Sequence, residues 1–298
     1  MKSRDDLDLR RLRMFVTVAE APSLRVAAEK MFMTQQAASS AIKELERNLG
    51  VELFSRTRRS LMLTPAGETL YRGAAALLAG GHQLTAKVQA AGADSVPPYV
   101  IGHTPNLAPS EVFTIIEPVV VADPSVPITV RPIFADQIRS ALLDGHIDLA
   151  LRRGIQPPPD LAGTVAGRHR LRLAVGSEHP LAQHDQANLA DLADHEIVVA
   201  VAEPEEDSEY LRLLISICQA AGFEPQITVS RLRGTPPHTA VIAHPQAAAF
   251  VTNEPGWLYN NRIRVIELAE APTVPVQAMW LPHTTSAIRT EILASLQP

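Results

Sequence analysis

Apolar side chains recur at helical spacing three times in the first fifty positions: Leu9, Leu12, Phe15, Val16 and Ala19, then Leu24, Ala27, Ala28 and Met31, then Ala38, Ile42, Leu45 and Leu49. Residues three, four and seven apart share one face of a helix, so the pattern predicts three amphipathic helices. Ser23 and Thr34 stand where the second and third need N-caps, and Gly50 stands where the third should end. Only Phe32 and Met33 separate the second from the third, which makes residues 24–43 a helix-turn-helix. After Gly50 the period changes to two. Val51-Glu52-Leu53-Phe54 and Ser60-Leu61-Met62-Leu63 read as short strands around Ser55-Arg56-Thr57-Arg58-Arg59, a hairpin wing with a basic tip.

Thr64-Pro65 then offers an N-cap followed by proline at the first helical position, opening an Ala/Leu-rich stretch to Ala91 with Leu70, Leu77 and Leu84 at heptad spacing. That stretch fits a dimerisation helix or a helix packed on its own domain, since Gly80-Gly81 weakens a strict coiled coil. Residues 92–98 read as a linker. From Tyr99 onward, short β-branched runs (99–101, 128–130, 149–151, 171–175, 197–201, 227–229, 248–251, 276–280) alternate with helix-length segments, which predicts an α/β body with a largely parallel sheet or sheets. Its length suits two small lobes with a ligand cleft between them. The expected division is a winged helix-turn-helix over 7–64, a linker helix over 65–95, a first lobe over 96–166 completed by 266–298, and a second lobe over 167–265.

Charge sharpens that division. The net charge is −5, but residues 1–65 hold 12 Lys/Arg against 8 Asp/Glu, and all but 2 of the 24 prolines follow residue 96. A basic, proline-poor head on an acidic, proline-rich body suggests a nucleic-acid reader joined to a different kind of domain. No run of about 20 apolar residues is present, and the charged start, Met1 to Leu12, lacks the apolar core of a signal peptide, so a cytoplasmic protein without membrane contact is expected. The single cysteine, Cys218, sits among Leu214, Ile215 and Ile217 and reads as a packed small hydrophobe. The ten histidines form no HExxH and no pair at helical spacing, and no nucleophile elbow occurs, so neither a metal nor a catalytic site is expected. His179 and His195 read as structural.

On the third helix, Ala38, Ile42 and Leu45 turn inward, leaving Gln35, Gln36, Ser39, Ser40 and Lys43 outside after the Thr34 cap. Amides and hydroxyls suit base edges and phosphates, and lysine suits phosphate. A solvated helix face would look the same in isolation. Its place after a tight turn and beside Arg56, Arg58 and Arg59 favours DNA, with the arginines on flanking backbone.

The run from Leu9 to Gly67, including Val18-Ala19-Glu20, Ala27-Ala28, Thr34-Gln35, Leu45-Glu46, Leu49-Gly50, Leu53-Phe54 and Leu63-Thr64-Pro65-Ala66-Gly67, resembles the DNA-binding domain of LysR-type transcriptional regulators. Leu142 to Ala150 and His179-Pro180-Leu181-Ala182 resemble segments of that family's effector lobes. The resemblance implies a homodimer or homotetramer that binds an interrupted palindrome in double-stranded DNA. It also implies a periplasmic-binding-protein-like sensor, with a small-molecule effector between the lobes and RNA polymerase as a further partner. It places the effector at Gly102-His103-Thr104-Pro105-Asn106, with Thr104 as best contact and His103 and Asn106 beside it, and at the loop Ile133 to Gln137, where Ala135 replaces the usual hydroxyl. Arg153 and His238 complete the candidates, Arg152-Arg153 being equally readable as solvated. Hydroxyl and helix amides suit an anion, whereas Ala135 speaks against a carboxylate. Apart from the effector, no cofactor is expected. Two other readings stay open: an enzyme or ligand-binding protein whose head only oligomerises, and an architectural DNA binder without an effector.

Overall fold

The computed structural model describes residues 7–56, 61–92, 97–200, 209–232 and 234–296. The head opens with α1 (Leu9–Glu20), α2 (Leu24–Lys30) and α3 (Gln35–Leu49). Each starts on a side-chain cap: Asp8 accepts from Arg10 N at 2.9 Å, Ser23 from Val26 N at 3.3 Å and Thr34 from Ala37 N at 3.1 Å. Gly50 ends α3 at φ 72°, where a side chain would be strained. Leu12, Phe15, Ala27, Ile42 and Leu45 meet in one core, with the Phe15 ring 5.4 Å from that of Phe54.

The wing pairs β1 (Phe54–Arg56) with β2 (Leu61–Leu63). β1 starts three residues later than the alternation of Val51 to Phe54 suggests. The Glu46 carboxylate on α3 accepts from Leu53 N at 2.9 Å and Phe54 N at 3.2 Å, so the chain is still tied to the helix end at that point. Arg58 and Arg59 lie outside the described residues, as does the side chain of Arg56.

α4 (Pro65–Gly92) follows; at 1.5 Å per residue it is about 42 Å long. Gly67 lets it approach the wing, because a Cβ there would lie 2.1 Å from the Leu53 carbonyl oxygen. Part of this helix packs within its own chain. Its first half packs on α1 and the wing, and Ala76 and Ala79 join a cluster with lobe-one residues Ile138, Ala141 and Leu142. Gln83 Nε2 donates to Leu142 O at 2.9 Å. Beyond that point Leu84 and Val88 are each 64% exposed.

The body runs β3 (Tyr99–His103), α5 (Pro109–Ala122), β4 (Ile128–Pro132), α6 (Ile138–Leu143), β5 (Leu149–Arg153), β6 (Ala162–Arg170), β7 (Arg172–Gly176), β8 (Gln186–Ala187), β9 (Glu196–Val199), α7 (Glu209–Ala220), β10 (Gln226–Val229), α8 (Ala240–Ala243), β11 (Ala247–Val251), β12 (Gly256–Leu258), β13 (Ile263–Leu268), β14 (Thr273–Trp280) and α9 (Ala287–Ser295). Among the described residues these form two sheets. Lobe one has the order β4-β3-β5-β14-β6, and lobe two the order β10-β9-β11-β7-β13-β12 with β8 on β13.

Neither sheet is largely parallel, which corrects the expectation. β3 is parallel to β4 and β5, but β14 is antiparallel to β5 and β6; β9 is parallel to β10 and β11, but β7 is antiparallel to β11 and β13. β6 and β13, interrupted by charged residues, and the three-residue β12 escape a search for unbroken apolar runs, and such runs carry no strand direction. The lobe crossings also shift. β6 stays on β14 as far as Arg170 opposite Thr273, and β13 stays in lobe two as far as Leu268 opposite Ala187. The chain therefore crosses at Leu171 and at 269–272 rather than after 166 and 265. Both lobes fill conventionally: Leu171, Leu173, Leu192 and Cys218 are fully buried in lobe two, and Ile101, Leu149, Leu151 and Val276 in lobe one. Burial pushes the Cys218 thiol up to about 11, in keeping with a packed, unreactive side chain.

Candidate functional site

Two places gather polar chemistry. The first is the outer face of α3, where Ala38, Ile42 and Leu45 are buried and Thr34, Gln35, Gln36, Ser40 and Lys43 are exposed, with Ser39 half-buried between them. One helix presents all of them on a rigid support, because the inward stripe and the Thr34 and Gly50 caps hold both its position and its ends. At its start the turn leaves Phe32 at φ 55° with its ring 99% exposed. In the sequence Phe32 carries no signal beyond its place in the turn.

The second place is a cleft of about 700 Å³ between the lobes. Lobe one contributes Thr104, Pro105 and Asn106 after β3, Phe134 to Asp136 after β4, and Arg152 to Pro158 at the end of β5; lobe two contributes Ala200, Glu209, Tyr210, Arg212, Gly234, Thr235 and Pro237. Of the expected effector residues, Thr104, Asn106, Ala135 and Arg153 meet here. His238 lines a smaller adjoining hollow of about 150 Å³ together with Asn106, Arg153 and Tyr210. His103 and Gln137 do not reach the cleft. The His103 ring is buried beside the Thr104 carbonyl, Nδ1 to O 3.2 Å, because β3 continues two residues beyond its expected end and turns that side chain inward. Gln137 lies in a separate surface hollow with Arg131, Ser140 and His146, since residues 135–137 make a helical turn that carries it off the cleft face.

Within the cleft most polar groups are already engaged. Thr104 Oγ1 donates to Asn106 Oδ1 at 2.6 Å. Arg153, 2% exposed, donates to Glu111 Oε1 at 2.6 Å and Thr252 Oγ1 at 2.9 Å, and its Nη1 lies 3.2 Å from His169 Nδ1. His169 Nδ1 also meets Glu111 Oε1. Glu111 in turn accepts from Ala108 N at 2.8 Å, so the start of α5, where an anionic ligand was expected, is capped by the protein's own carboxylate. Burial alone would raise the Glu111 pKa, but the His169 hydrogen bond and the Arg153 charge outweigh it and hold the group at about 2. His238 is buried between Asn253 Oδ1 at 3.0 Å and Tyr259 Oη at 3.2 Å, and that burial lowers its pKa.

Arg152 bridges the lobes. Its Nη2 donates to Glu209 Oε2 on α7 at 2.6 Å and to the Gln156 carbonyl at 2.6 Å, while Glu209 Oε1 accepts from the backbone N–H groups of Ile155 at 2.6 Å and Gln156 at 2.7 Å. Gln277, 1% exposed beside a register shift in β14, accepts from Arg152 at 3.3 Å and donates to Ile155 O at 3.0 Å. Nothing local in the sequence marks Glu209 or Gln277, since 57 and 125 positions separate them from Arg152. Among the described residues, no group of three or more His, Cys, Asp or Glu could hold a metal. The His179 and His195 rings pack at a tilt of 49°, 4.5 Å apart, in lobe two and away from both sites.

The two places fall in two separately matched stretches of the chain. A family model for bacterial regulatory helix-turn-helix proteins of the lysR family matches residues 9–68, and one for the LysR substrate binding domain matches residues 98–293. The HTH-type transcriptional regulator AlsR of Bacillus subtilis is 32% identical over 228 residues, 74% of this chain and 72% of its own length. BenM of Acinetobacter baylyi, also an HTH-type transcriptional regulator, is 30% identical over 222 residues, covering 74% and 72%. Among solved structures, that of CbnR, a LysR family transcriptional regulator, superposes with a TM-score of 0.55 at 20% identity over 97% of this chain and 98% of that one. CbnR bound to its target DNA gives 0.54 at 20% identity, over 98% of this chain and all of that one. At such identity these two likenesses concern the fold.

Proposed function

This chain belongs to the LysR family of bacterial regulators, a DNA-binding transcriptional regulator with an effector-binding domain, and on that premise we propose which residues do the work. Gln35, Gln36, Ser39 and Ser40, capped by Thr34, read base edges in the major groove, and Lys43 neutralises a phosphate. Arg56, Arg58 and Arg59 hold the flanking backbone. The operator is an interrupted palindrome bound by a homodimer or homotetramer, with the exposed Leu84 and Val88 of α4 available to a second copy. The effector occupies the inter-lobe cleft, contacting Thr104, Asn106, Ala135 and Arg153, and it alters operator affinity only by its differential affinity for two lobe arrangements. The protein catalyses no reaction, acts in the cytoplasm and addresses RNA polymerase from its operator.

The observation that carries this reading is the row of exposed amides, hydroxyls and lysine on one capped helix, directly opposite its buried stripe. Its test is selection of bound fragments from sheared genomic DNA at near-physiological salt, with the Gln35→Ala/Ser39→Ala double variant in parallel. A few interrupted-palindromic sites should be enriched and lost in the variant. Equal enrichment by both proteins would remove the reading role from this face.

A further inference from the structure

Arg152 has the makings of an anion receptor whose ligand is already tethered to the protein. Its guanidinium and the adjacent N–H groups of Ile155 and Gln156 converge on one carboxylate, that of Glu209, over 2.6–2.7 Å. Three donors on two oxygens is the geometry with which proteins grip a carboxylate ligand. The pocket is shaped for it. Gly154 adopts φ +154°, and a Cβ there would stand 2.9 Å from Glu209 Oε2, so a side chain at this position would push the carboxylate from its place. The grip is also incomplete, because Arg152 Nε is buried with no partner among the described residues. All three donors belong to lobe one and the carboxylate to lobe two, at the start of α7. By contrast Arg153 is already saturated by Glu111, Thr252 and His169.

We propose that Arg152 and the Ile155 and Gln156 amides form a carboxylate-binding site, that Glu209 fills it as an internal stand-in, and that the effector is a carboxylate with an apolar body that displaces Glu209. Phe134, Pro157 and Pro158 line the same cleft and supply the apolar contact that Glu209, held by its helix, does not use. Ala135 therefore removes no essential anion contact, since the receptor lies on the β5 side of the cleft. Displacement exchanges one carboxylate for another at the same donors, so the gain lies in the apolar body. Its consequence is mechanical: the direct link from α7 to lobe one is cut, and the lobes are free to move. The proposal rests on the cleft being the effector site.

The experiment uses the full chain, with isobutyrate as probe and isobutyramide as its neutral counterpart. Removing the internal competitor should tighten isobutyrate binding to Glu209→Gln by at least about tenfold relative to the natural chain. The amide should bind neither protein, and adding Arg152→Gln should abolish the gain. Equal isobutyrate affinity of the natural chain and Glu209→Gln, or amide binding as strong as acid, overturns the proposal. Should Glu209→Gln be unstable, hydrogen exchange on the natural chain at saturating isobutyrate gives the same answer. The N–H groups that close the first turn of α7, from Leu213 on, should lose protection while Ile155 and Gln156 keep theirs; unchanged protection of those groups overturns the proposal. Operator affinity separates the two levels. Isobutyrate binding to Glu209→Gln without any change in operator affinity supports the carboxylate site and overturns the effector role. An operator response to a neutral cleft ligand in a protein that never binds isobutyrate does the reverse.

Discussion

On α3 the polar side chains Gln35, Gln36, Ser40 and Lys43 stand in solvent without partners among the described residues, whereas in the cleft Arg153 is 2% exposed and held by residues of α5, β6 and the turn after β11. The ligands explain the contrast. A duplex approaches from outside, so its contacts stay hydrated until it arrives. A small ligand enters a part-buried space, where charges left unpaired in its absence would cost the fold several kcal/mol each. The head therefore keeps its chemistry open, and the cleft keeps its own closed with glutamates.

The largest test of that contrast is Arg153→Met, which strands the Glu111 carboxylate and should lower stability by about 3–5 kcal/mol in urea unfolding. A loss below about 1 kcal/mol, the scale of solvated pairs, would erase the distinction between the two regions. Acid should act through the same carboxylate. Glu111 sits at about 2 against an ordinary 4.5, so the folded state favours its ionised form. Its contribution is complete above pH 4.5 and is lost as pH falls towards 2. Glu111→Gln should be less stable by about 3 kcal/mol at pH 7, with the gap closing across that window. A gap constant from pH 7 to pH 2 would assign the loss to packing. In the head the corresponding effects are smaller. Thr34→Ala should cost about 1 kcal/mol through the lost cap, and it should weaken operator binding because the first turn carries Gln35 and Gln36. Lys43→Ala should leave stability within about 0.5 kcal/mol and reduce the salt slope of DNA binding by about one. An unchanged slope would place Lys43 off the phosphates.

How much could be read in advance follows the same line. The three head helices, their caps at Ser23 and Thr34 and the stop at Gly50 are set by neighbours a few residues apart, and they stand where apolar spacing puts them. The wing strand slipped by three residues because a side chain on another element, Glu46, decided where it begins. In the body, strands that are apolar throughout, such as 149–151 and 248–251, were legible. β6, in which only Ala166 is buried, was not, and with it went part of the mixed sheet directions. Thr104, taken from the family resemblance, and Arg153, taken from its place after a strand, both line the cleft. Gln137 was misplaced because a single helical turn rotated it away.

The amino-acid sequence by itself determined the helix-turn-helix, its outward polar face, the alternation that builds an α/β body and the charge split between them, because each depends on local periodicity or on composition. Only the tertiary structure decided which charges meet in the cleft: Arg152 with Glu209 and Gln277, and Arg153 with Glu111, His169 and Thr252. Those pairings join residues up to 125 positions apart. They arise because two sheets close on one another and every buried charge must then find a partner, a condition that no short stretch of chain expresses.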